Sequence, residues 1–192
     1  MTAMSDLSLD TRTGLPDALR VLLAEHPREA WEAHPQFHGL VSFWLDRHMM
    51  FRRLLEALET EAQGALDGNR DARRFAAALS QYGGMLVNNL HGHHQIEDHH
   101  YFPVLAARDA RVARGFEILD ADHHALDGIL NGFVTTTNDA IQTLTKTGAV
   151  TDAAGAFHGD LTRLAGLLDR HLTDEEEVVV PVILKYGADG LG

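Results

Sequence analysis

Residues 91–100 read HGHHQIEDHH, which places five histidines and two carboxylates in one short segment. Part of this segment recurs near the C-terminus as His-x-x-x-Glu, followed by a proline six residues after the glutamate. The two copies, with every position displaced by 78 residues, are His93, Glu97 and Pro103, and then His171, Glu175 and Pro181. Residues four apart lie one turn apart on the same face of an α-helix, so each copy can direct an imidazole and a carboxylate at one ion.

Two more histidines stand upstream of these copies, His48 by 45 residues and His123 by 48. The positions that share a helical face with them are apolar, which predicts that both histidines point into a core. These positions are Val41, Trp44, Leu45 and Leu55 for His48, and Phe116, Leu119, Leu126 and Leu130 for His123. The neighbouring His124 shares its face with polar residues and is predicted to face solvent or the rim of the site.

Apolar residues recur at three- and four-residue steps along four long stretches, which is the helical period. The stretches are residues 36–66, 71–107, 110–145 and about 151–186, and a short helix over residues 18–25 precedes them. Kinks are expected at Gly83-Gly84 and at Pro103, and no strand alternation appears. The sequence therefore predicts an all-α fold. It is an antiparallel up-down four-helix bundle over residues 35–192, with a short helix in an N-terminal extension over residues 1–34.

The composition narrows the chemistry that is open to the protein. The chain has 192 residues, enough for one domain with a substantial core, and it carries a net charge of −12 and no cysteine. The acidity argues against nucleic acid as a partner, because phosphate binding needs clustered lysine and arginine. Without cysteine there are no disulfides, thiolate ligands or thiol catalysis. Any metal must be held by histidine and carboxylate, which suits iron, manganese, zinc or copper.

No stretch approaches 18 apolar residues, and residues 1–14 lack the apolar run of a signal peptide. We therefore expect a cytoplasmic protein that does not associate with a membrane. The sequence is compatible with a homodimer, although no feature demands one.

Six residues are the candidate metal ligands: His48, His93, Glu97, His123, His171 and Glu175. Burying such groups without partners costs about 1–3 kcal/mol each. A pair of metal ions satisfies them all, with the two glutamates available to bridge. The spacing differs from the Glu-x-x-His of ferritin-like di-iron proteins, and the zincin motif His-Glu-x-x-His is missing.

These residues resemble the hemerythrin-like (HHE cation-binding) family over roughly residues 36–186. The resemblance is carried by His48, His93-x-x-x-Glu97-Asp98 with Phe102-Pro103, Asp122-His123, and His171-x-x-x-Glu175-Glu176. It implies two Fe ions in an oxo- or hydroxo-bridged di-iron centre within an up-down bundle, reactive toward O2, peroxide or nitric oxide. By position, it implies that the four histidines are terminal ligands and that Glu97 and Glu175 are bridging carboxylates.

The chain departs from the O2-carrying members of that family at one position. Those proteins have five histidines and two carboxylates, with His-x-x-x-His on the third helix, where this chain reads His123-x-x-x-Asp127. Loss of the fifth histidine opens a coordination position or puts an aspartate there, which favours sensing or redox turnover over reversible O2 carriage. On the fourth helix the carriers place their carboxylate at the position of Glu176. We prefer Glu175 because it repeats Glu97 and shares the face of His171.

The other histidines of the cluster carry weaker signals. For His91, His94 and His99 the favoured interpretation is a solvated helix face. His100 lies seven residues after His93 on the same face and is a candidate hydrogen-bond donor or additional ligand. Core packing is favoured over a redox role for Tyr101.

Three functions are compatible with this pattern. The first is a cytoplasmic non-haem di-iron protein that binds O2 or a related small oxidant for sensing, scavenging or iron handling, with an unidentified redox or regulatory partner. The second is a di-iron redox enzyme, catalase-like or an oxidase, which uses the same residues. The third is a partner-binding regulator with a structural metal, in which the short helix and the region around Trp31 form the interaction surface. If deletion of residues 1–34 releases the metal rather than a partner, that segment belongs to the metal site.

Overall fold

The computed structural model describes residues 7–191, and every regular element within them is helical. The α-helices are α1 Val21–Glu25, α2 Leu40–Leu66, α3 Ala72–Ala78, α4 Gly84–Ile96, α5 Phe102–Arg108, α6 Ala113–Thr147 and α7 Val150–Tyr186. Single 3-10 turns lie at Asp17–Leu19 and Arg28–Ala30. The predicted all-α class is confirmed, whereas the antiparallel four-helix arrangement and the boundary after residue 34 stay predictions. No helix in the described part of the chain has both the length and the apolar character that a membrane crossing requires.

Helix α2 begins at Leu40, later than the periodicity predicts. Gly39 precedes it with a φ of +87°, a left-handed conformation that glycine tolerates and that a right-handed helix cannot contain. The carbonyl of Gly39 accepts the helical bond from the N–H of Phe43 at 3.0 Å and a second bond from the hydroxyl of Ser42 at 3.0 Å. The apolar pattern therefore extends past the point at which the backbone allows a helix.

The second predicted helix is a succession of α and π segments. π-helical turns lie at Leu79–Gly83 and Glu97–Tyr101, on either side of α4. The first ends at Gly83 and the second stands just before Phe102-Pro103, so both predicted kink points coincide with a change of helical geometry. Proline has no N–H to donate and crowds the turn before it, which accounts for the wider turn upstream of Pro103. This second π turn carries Glu97 and Asp98.

The chain forms two compact units, each assembled from segments of the long helices. Within the described residues, the first consists of residues 7–48, 94–125 and 169–191, and the second of Met49–His93 and Leu126–Leu168. Aromatic side chains fill the core of the second unit. Phe157 lies there with its ring centroid 6.3 Å from that of Phe75 and 5.5 Å from that of Phe133.

The N-terminal segment contributes apolar side chains to the core of the first unit. Leu15, Leu22 and Trp31 are buried in one cluster with residues of α6 and α7, such as Val178. Burying an apolar side chain of this size stabilises a fold by about 1.5–3 kcal/mol. The indole N–H of Trp31 donates to the carbonyl of His26 at 2.8 Å. The ring of Trp31 therefore lies inside the core, whereas the interaction surface expected for the short helix and the region around Trp31 stays a prediction.

Asp109 joins the turn between α5 and α6 to the end of α7. Its carboxylate accepts hydrogen bonds from the backbone N–H of Arg111 at 3.0 Å and from the Arg111 guanidinium at 2.9 and 2.6 Å. It also accepts one from the hydroxyl of Tyr186 at 2.9 Å. These contacts, with the Arg111 side chain the largest cause, hold the pKa of Asp109 well below its ordinary value.

We expect Asp109→Asn to lower the free energy of unfolding at pH 7 by about 1.5–3 kcal/mol, the range for hydrogen bonds to charged groups. The folded-state pKa of Asp109 lies below its unfolded value of about 4. The stabilisation is therefore present above that pH and is lost as the pH falls through the folded-state pKa. Urea unfolding of both proteins at pH 7 and pH 3 measures this. Equal stabilities at pH 7, or a difference that does not shrink at pH 3, contradict the assignment.

Candidate metal centre

Seven side chains form two groups that could each hold a metal ion. One group is His94, His123 and His171, and the other is His48, His93, Glu97 and Glu175. Within each group, one ligand atom from every residue lies within 4.8 Å of the others. All seven belong to the first unit except His93, which ends a segment of the second and is joined to His94 by a peptide bond. The structure thus brings all six candidate ligands of the sequence into these groups and adds His94.

The two buried glutamates lie against histidines of both groups. Glu175 has Oε1 at 3.7 Å from Nε2 of His48 and Oε2 at 3.4 Å from Nε2 of His171. Glu97 belongs to the group of His48, and its Oε2 also lies 3.6 Å from Nε2 of His123. Each carboxylate is therefore within reach of a ligand nitrogen from the other group, which is the arrangement that a bridging carboxylate needs.

Three of the histidines turn Nε2 toward these glutamates while Nδ1 contacts an outer carboxylate. The three contacts are His48 with Glu176 at 3.0 Å, His123 with Asp98 at 2.6 Å and His171 with Asp122 at 3.2 Å. A carboxylate on Nδ1 places the proton there and leaves the Nε2 lone pair for a metal, which is common around metal-bound histidines. The Nε2 atoms of His123 and His171 lie 3.1 Å apart, so both rings point at one place.

Trp44 fixes the orientation of Glu175. Its indole N–H donates to Oε1 of Glu175 at 2.8 Å, and both side chains are buried. The ring of Trp44 lies against Tyr101, with centroids 4.9 Å apart. Because an indole N–H can only donate, Oε1 of Glu175 accepts this bond, and Oε2 stays turned toward His171.

The buried carboxylates and imidazoles of this core perturb one another's pKa values. Burial raises the pKa of Glu97 well above its ordinary value, and the adjacent Glu175 raises it further. Burial alone lowers the pKa of His171, but its contacts with Asp122 and Glu175 outweigh this effect and raise the pKa to about 9. Two buried carboxylates beside several imidazoles are a donor set of nitrogen and oxygen that suits iron, zinc or manganese. The residues present therefore fit a metal ion in each group.

The solvated-face interpretation is wrong for His94. This side chain is only 2% exposed, and its ring stacks on that of His123 with centroids 3.9 Å apart and planes 12° from parallel. The buried stripe of α4 continues from Leu90 through His94 to Glu97, at steps of four and three residues. His93 and His94 thus both face protein, because this part of the helix is covered on more than one side.

The remaining histidines and carboxylates near the motifs lie outside both groups of candidate ligands. His91, His99, His100 and His124 are exposed, which confirms the expectation for His91, His99 and His124 and leaves His100 outside both groups. The Asp127 side chain is half-exposed, lies 4.0 Å from Nδ1 of His91, and belongs to neither group. It therefore does not take the position of the fifth histidine. Glu176 is buried but holds Nδ1 of His48 instead of joining either group.

A family model for the hemerythrin HHE cation-binding domain matches residues 39–183, which is most of the chain. The chain matches no curated protein and no solved structure. The matched region contains both groups of candidate ligands and the three outer carboxylates. This chain therefore belongs to the hemerythrin HHE cation-binding domain family.

Proposed function

We propose that the chain is a non-haem di-iron protein that binds O2 or a related small oxidant, such as peroxide or nitric oxide, for sensing, scavenging or iron handling. Its family binds metal cations, typically iron, and the chain contains His/Glu groups that could hold metal. The observation that carries the two-ion proposal is Glu175, whose two oxygens face histidines of different groups.

The proposal gives each residue a role. His94, His123 and His171 would hold one ion, His48 and His93 would hold the other, and Glu97 and Glu175 would be available to both. The outer carboxylates orient three of the imidazoles through Nδ1 so that Nε2 faces the glutamates, and Trp44 keeps Glu175 turned toward both groups. This donor set has five histidines and two carboxylates, with the fifth histidine coming from α4 rather than from α6.

The number of histidines bears on the kind of oxidant chemistry. The chain has Asp127 where the O2-carrying members have a fifth histidine. His94 restores the number of imidazoles to five, so the ligand count no longer disfavours reversible O2 carriage. The group of His48 and His93 offers one imidazole fewer than the other, so an ion held there would have more room for a small oxidant. Bound iron supplies the redox chemistry. The chain supplies the ligands and, beside them, an apolar core in which Trp44 and Leu119 are buried.

Anaerobic iron titration of metal-free protein, followed by exposure to O2, tests the proposal. We expect saturation near two Fe(II) per chain and near-ultraviolet bands that appear with O2 and bleach with a reductant. Return of the O2 when the gas phase is replaced by argon supports a carrier or sensor, whereas continued consumption of O2 or peroxide identifies an enzyme. Saturation at a single ion, or a spectrum that responds to neither O2 nor reductant, contradicts the di-iron proposal and favours a structural metal.

A further inference from the structure

The described residues 7–38 precede the region that matches the family, yet two of their arginines reach the candidate metal centre. Arg12 and Arg28 each bind a carboxylate that holds Nδ1 of a candidate ligand. Both contacts lie within the first unit.

Arg12 binds the carboxylate that orients His171. Its guanidinium donates through Nη1 to Oδ1 of Asp122 at 2.8 Å and through Nη2 to Oδ2 of the same residue. Its Nε donates to Oδ2 of Asp174 at 2.9 Å. The Arg12 side chain is only 2% exposed, which is unusual for arginine unless it is paired. Asp122 thus receives two parallel bonds on one side and contacts Nδ1 of His171 on the other.

Arg28 makes the corresponding contact for His48. Its Nη1 donates to Oε2 of Glu176 at 2.7 Å. The other oxygen of Glu176 lies 3.0 Å from Nδ1 of His48. The guanidinium is half-exposed and lies over the ring of the buried Trp31, 4.6 Å from its centroid. Each group of candidate ligands therefore has one histidine whose Nδ1 contacts a carboxylate that is paired with an arginine of the N-terminal segment.

These pairs have a physical consequence for the imidazoles. Arg12 places its positive charge against the Asp122 carboxylate, whose Oδ2 also contacts Nδ1 of His171 at 3.2 Å. A bidentate arginine also fixes the plane of the carboxylate, and with it the ring of the histidine beyond. Removal of Arg12 leaves Asp122 and Asp174 as buried carboxylates with less counter-charge, which is costly unless they move or take up protons.

We propose that the N-terminal segment is part of the metal centre, and that Arg12 and Arg28 are positioning residues that slow metal release by fixing the carboxylates behind His171 and His48. This inference rests on the proposed metal-binding function. It concerns residues that the family match does not cover.

A third arginine of the same segment provides a matched control. Arg20 pairs with Glu177 and with Asp17. Within the described residues, these two carboxylates are not among those that hold a histidine. Arg20→Gln therefore removes a charge and two ion pairs from the same segment, and it alters no carboxylate that contacts Nδ1 of a candidate ligand.

The test compares Arg12→Gln, Arg28→Gln and Arg20→Gln in the full chain loaded with Co(II), whose visible bands report on the ligands. Release to excess chelator is followed by the loss of these bands. We expect release from Arg12→Gln to be about tenfold faster than from wild type, the lower end of the effect of outer hydrogen-bond partners on metal sites. Arg28→Gln should show a smaller increase because its pair is partly exposed. Arg20→Gln should release Co(II) at the wild-type rate.

Two further measurements separate positioning from a general loss of stability. The Co(II) bands should shift in Arg12→Gln and not in Arg20→Gln, because the first variant alters the partner of His171. Arg12→Lys should recover part of the slow release, since it keeps the charge but not the parallel bonds. If Arg12→Gln does not fold, Arg12→Lys and Arg28→Gln still provide the comparison.

Unchanged release rates and Co(II) bands in folded Arg12 and Arg28 variants overturn the inference and leave the metal site intact. An equal increase in the release rate of Arg20→Gln also overturns the inference. The arginines would then slow metal release only by stabilising the fold in general. A wild-type chain that takes up no Co(II) overturns the proposed metal site as well. The failure of the inference is thus distinguishable from the failure of the proposed function.

Discussion

Glu175→Gln is expected to weaken the binding of both ions by more than about 100-fold, beyond the range for an outer hydrogen-bond partner. Glu175 is fully buried, and its two oxygens face His48 and His171 at 3.7 and 3.4 Å. Glutamine preserves the size of the side chain, but it removes the negative charge and replaces one oxygen with an NH2 group that cannot donate a lone pair. Trp44 can still donate to the remaining oxygen, so the fold should be retained.

Iron content after anaerobic loading and desalting measures this effect, with circular dichroism as the check on folding. Wild type should retain two irons and Glu175→Gln fewer than one. Glu177→Gln is the matched control, because Glu177 lies two residues further along the same helix and pairs with Arg20 instead of a histidine. A Glu175→Gln protein that is folded and retains two irons contradicts the bridging role.

His94→Gln is expected to remove one ion and to leave the other bound. His94 lies in the group with His123 and His171 and does not belong to the group of His48. Its loss leaves two imidazoles for the first ion, and it also removes the ring that stacks on His123. The first group thus loses both a donor and the packing that holds His123, whereas every residue of the second group stays in place. The iron content should therefore fall from two toward one.

His99→Gln is the control for this prediction. His99 belongs to the same run of histidines but is exposed, with Nδ1 2.8 Å from the carbonyl of Gln95. It should retain two irons and the wild-type spectrum. If His94→Gln also retains two irons, His94 is a packing residue and the centre has only four histidine ligands. If it loses both ions, the two groups do not bind independently.

The long helices could be predicted from the sequence. The helices α6 and α7 lie close to their predicted ranges, because a stripe of apolar residues sustained over thirty or more residues admits one interpretation. The start of α2 could not be predicted from the sequence. The apolar pattern extends back to residue 36, but Gly39 takes a left-handed conformation, so the helix cannot include it. The π turn at Glu97–Tyr101 could be predicted only as a kink at Pro103.

The candidate site was predictable where a local motif carries it. His93 with Glu97 and His171 with Glu175 are pairs on one helical face, and the structure brings all four residues into the two groups. His94 was missed because one inward histidine was assigned to each helix. The missed signal was its spacing, four residues after Leu90 and three before Glu97, which continues the buried stripe.

The sequence indicated the carboxylates that contact the histidines, but not the arginines that pair with those carboxylates. The family motif contains Asp98, Asp122 and Glu176, and in the structure each of them lies against Nδ1 of a histidine. Arg12 and Arg28 gave no signal, because a single arginine in a polar segment is usually solvated. Their contacts depend on residues more than one hundred positions away in the chain.

Diffraction from crystals of the iron-loaded protein, collected on both sides of the iron absorption edge, tests the central claim most directly. Two anomalous peaks are expected in each chain. One should be bound by His94, His123 and His171, and the other by His48 and His93, with Glu97 and Glu175 in contact with both. A single peak, or two peaks that share neither glutamate, contradicts the account of a carboxylate-bridged di-iron centre.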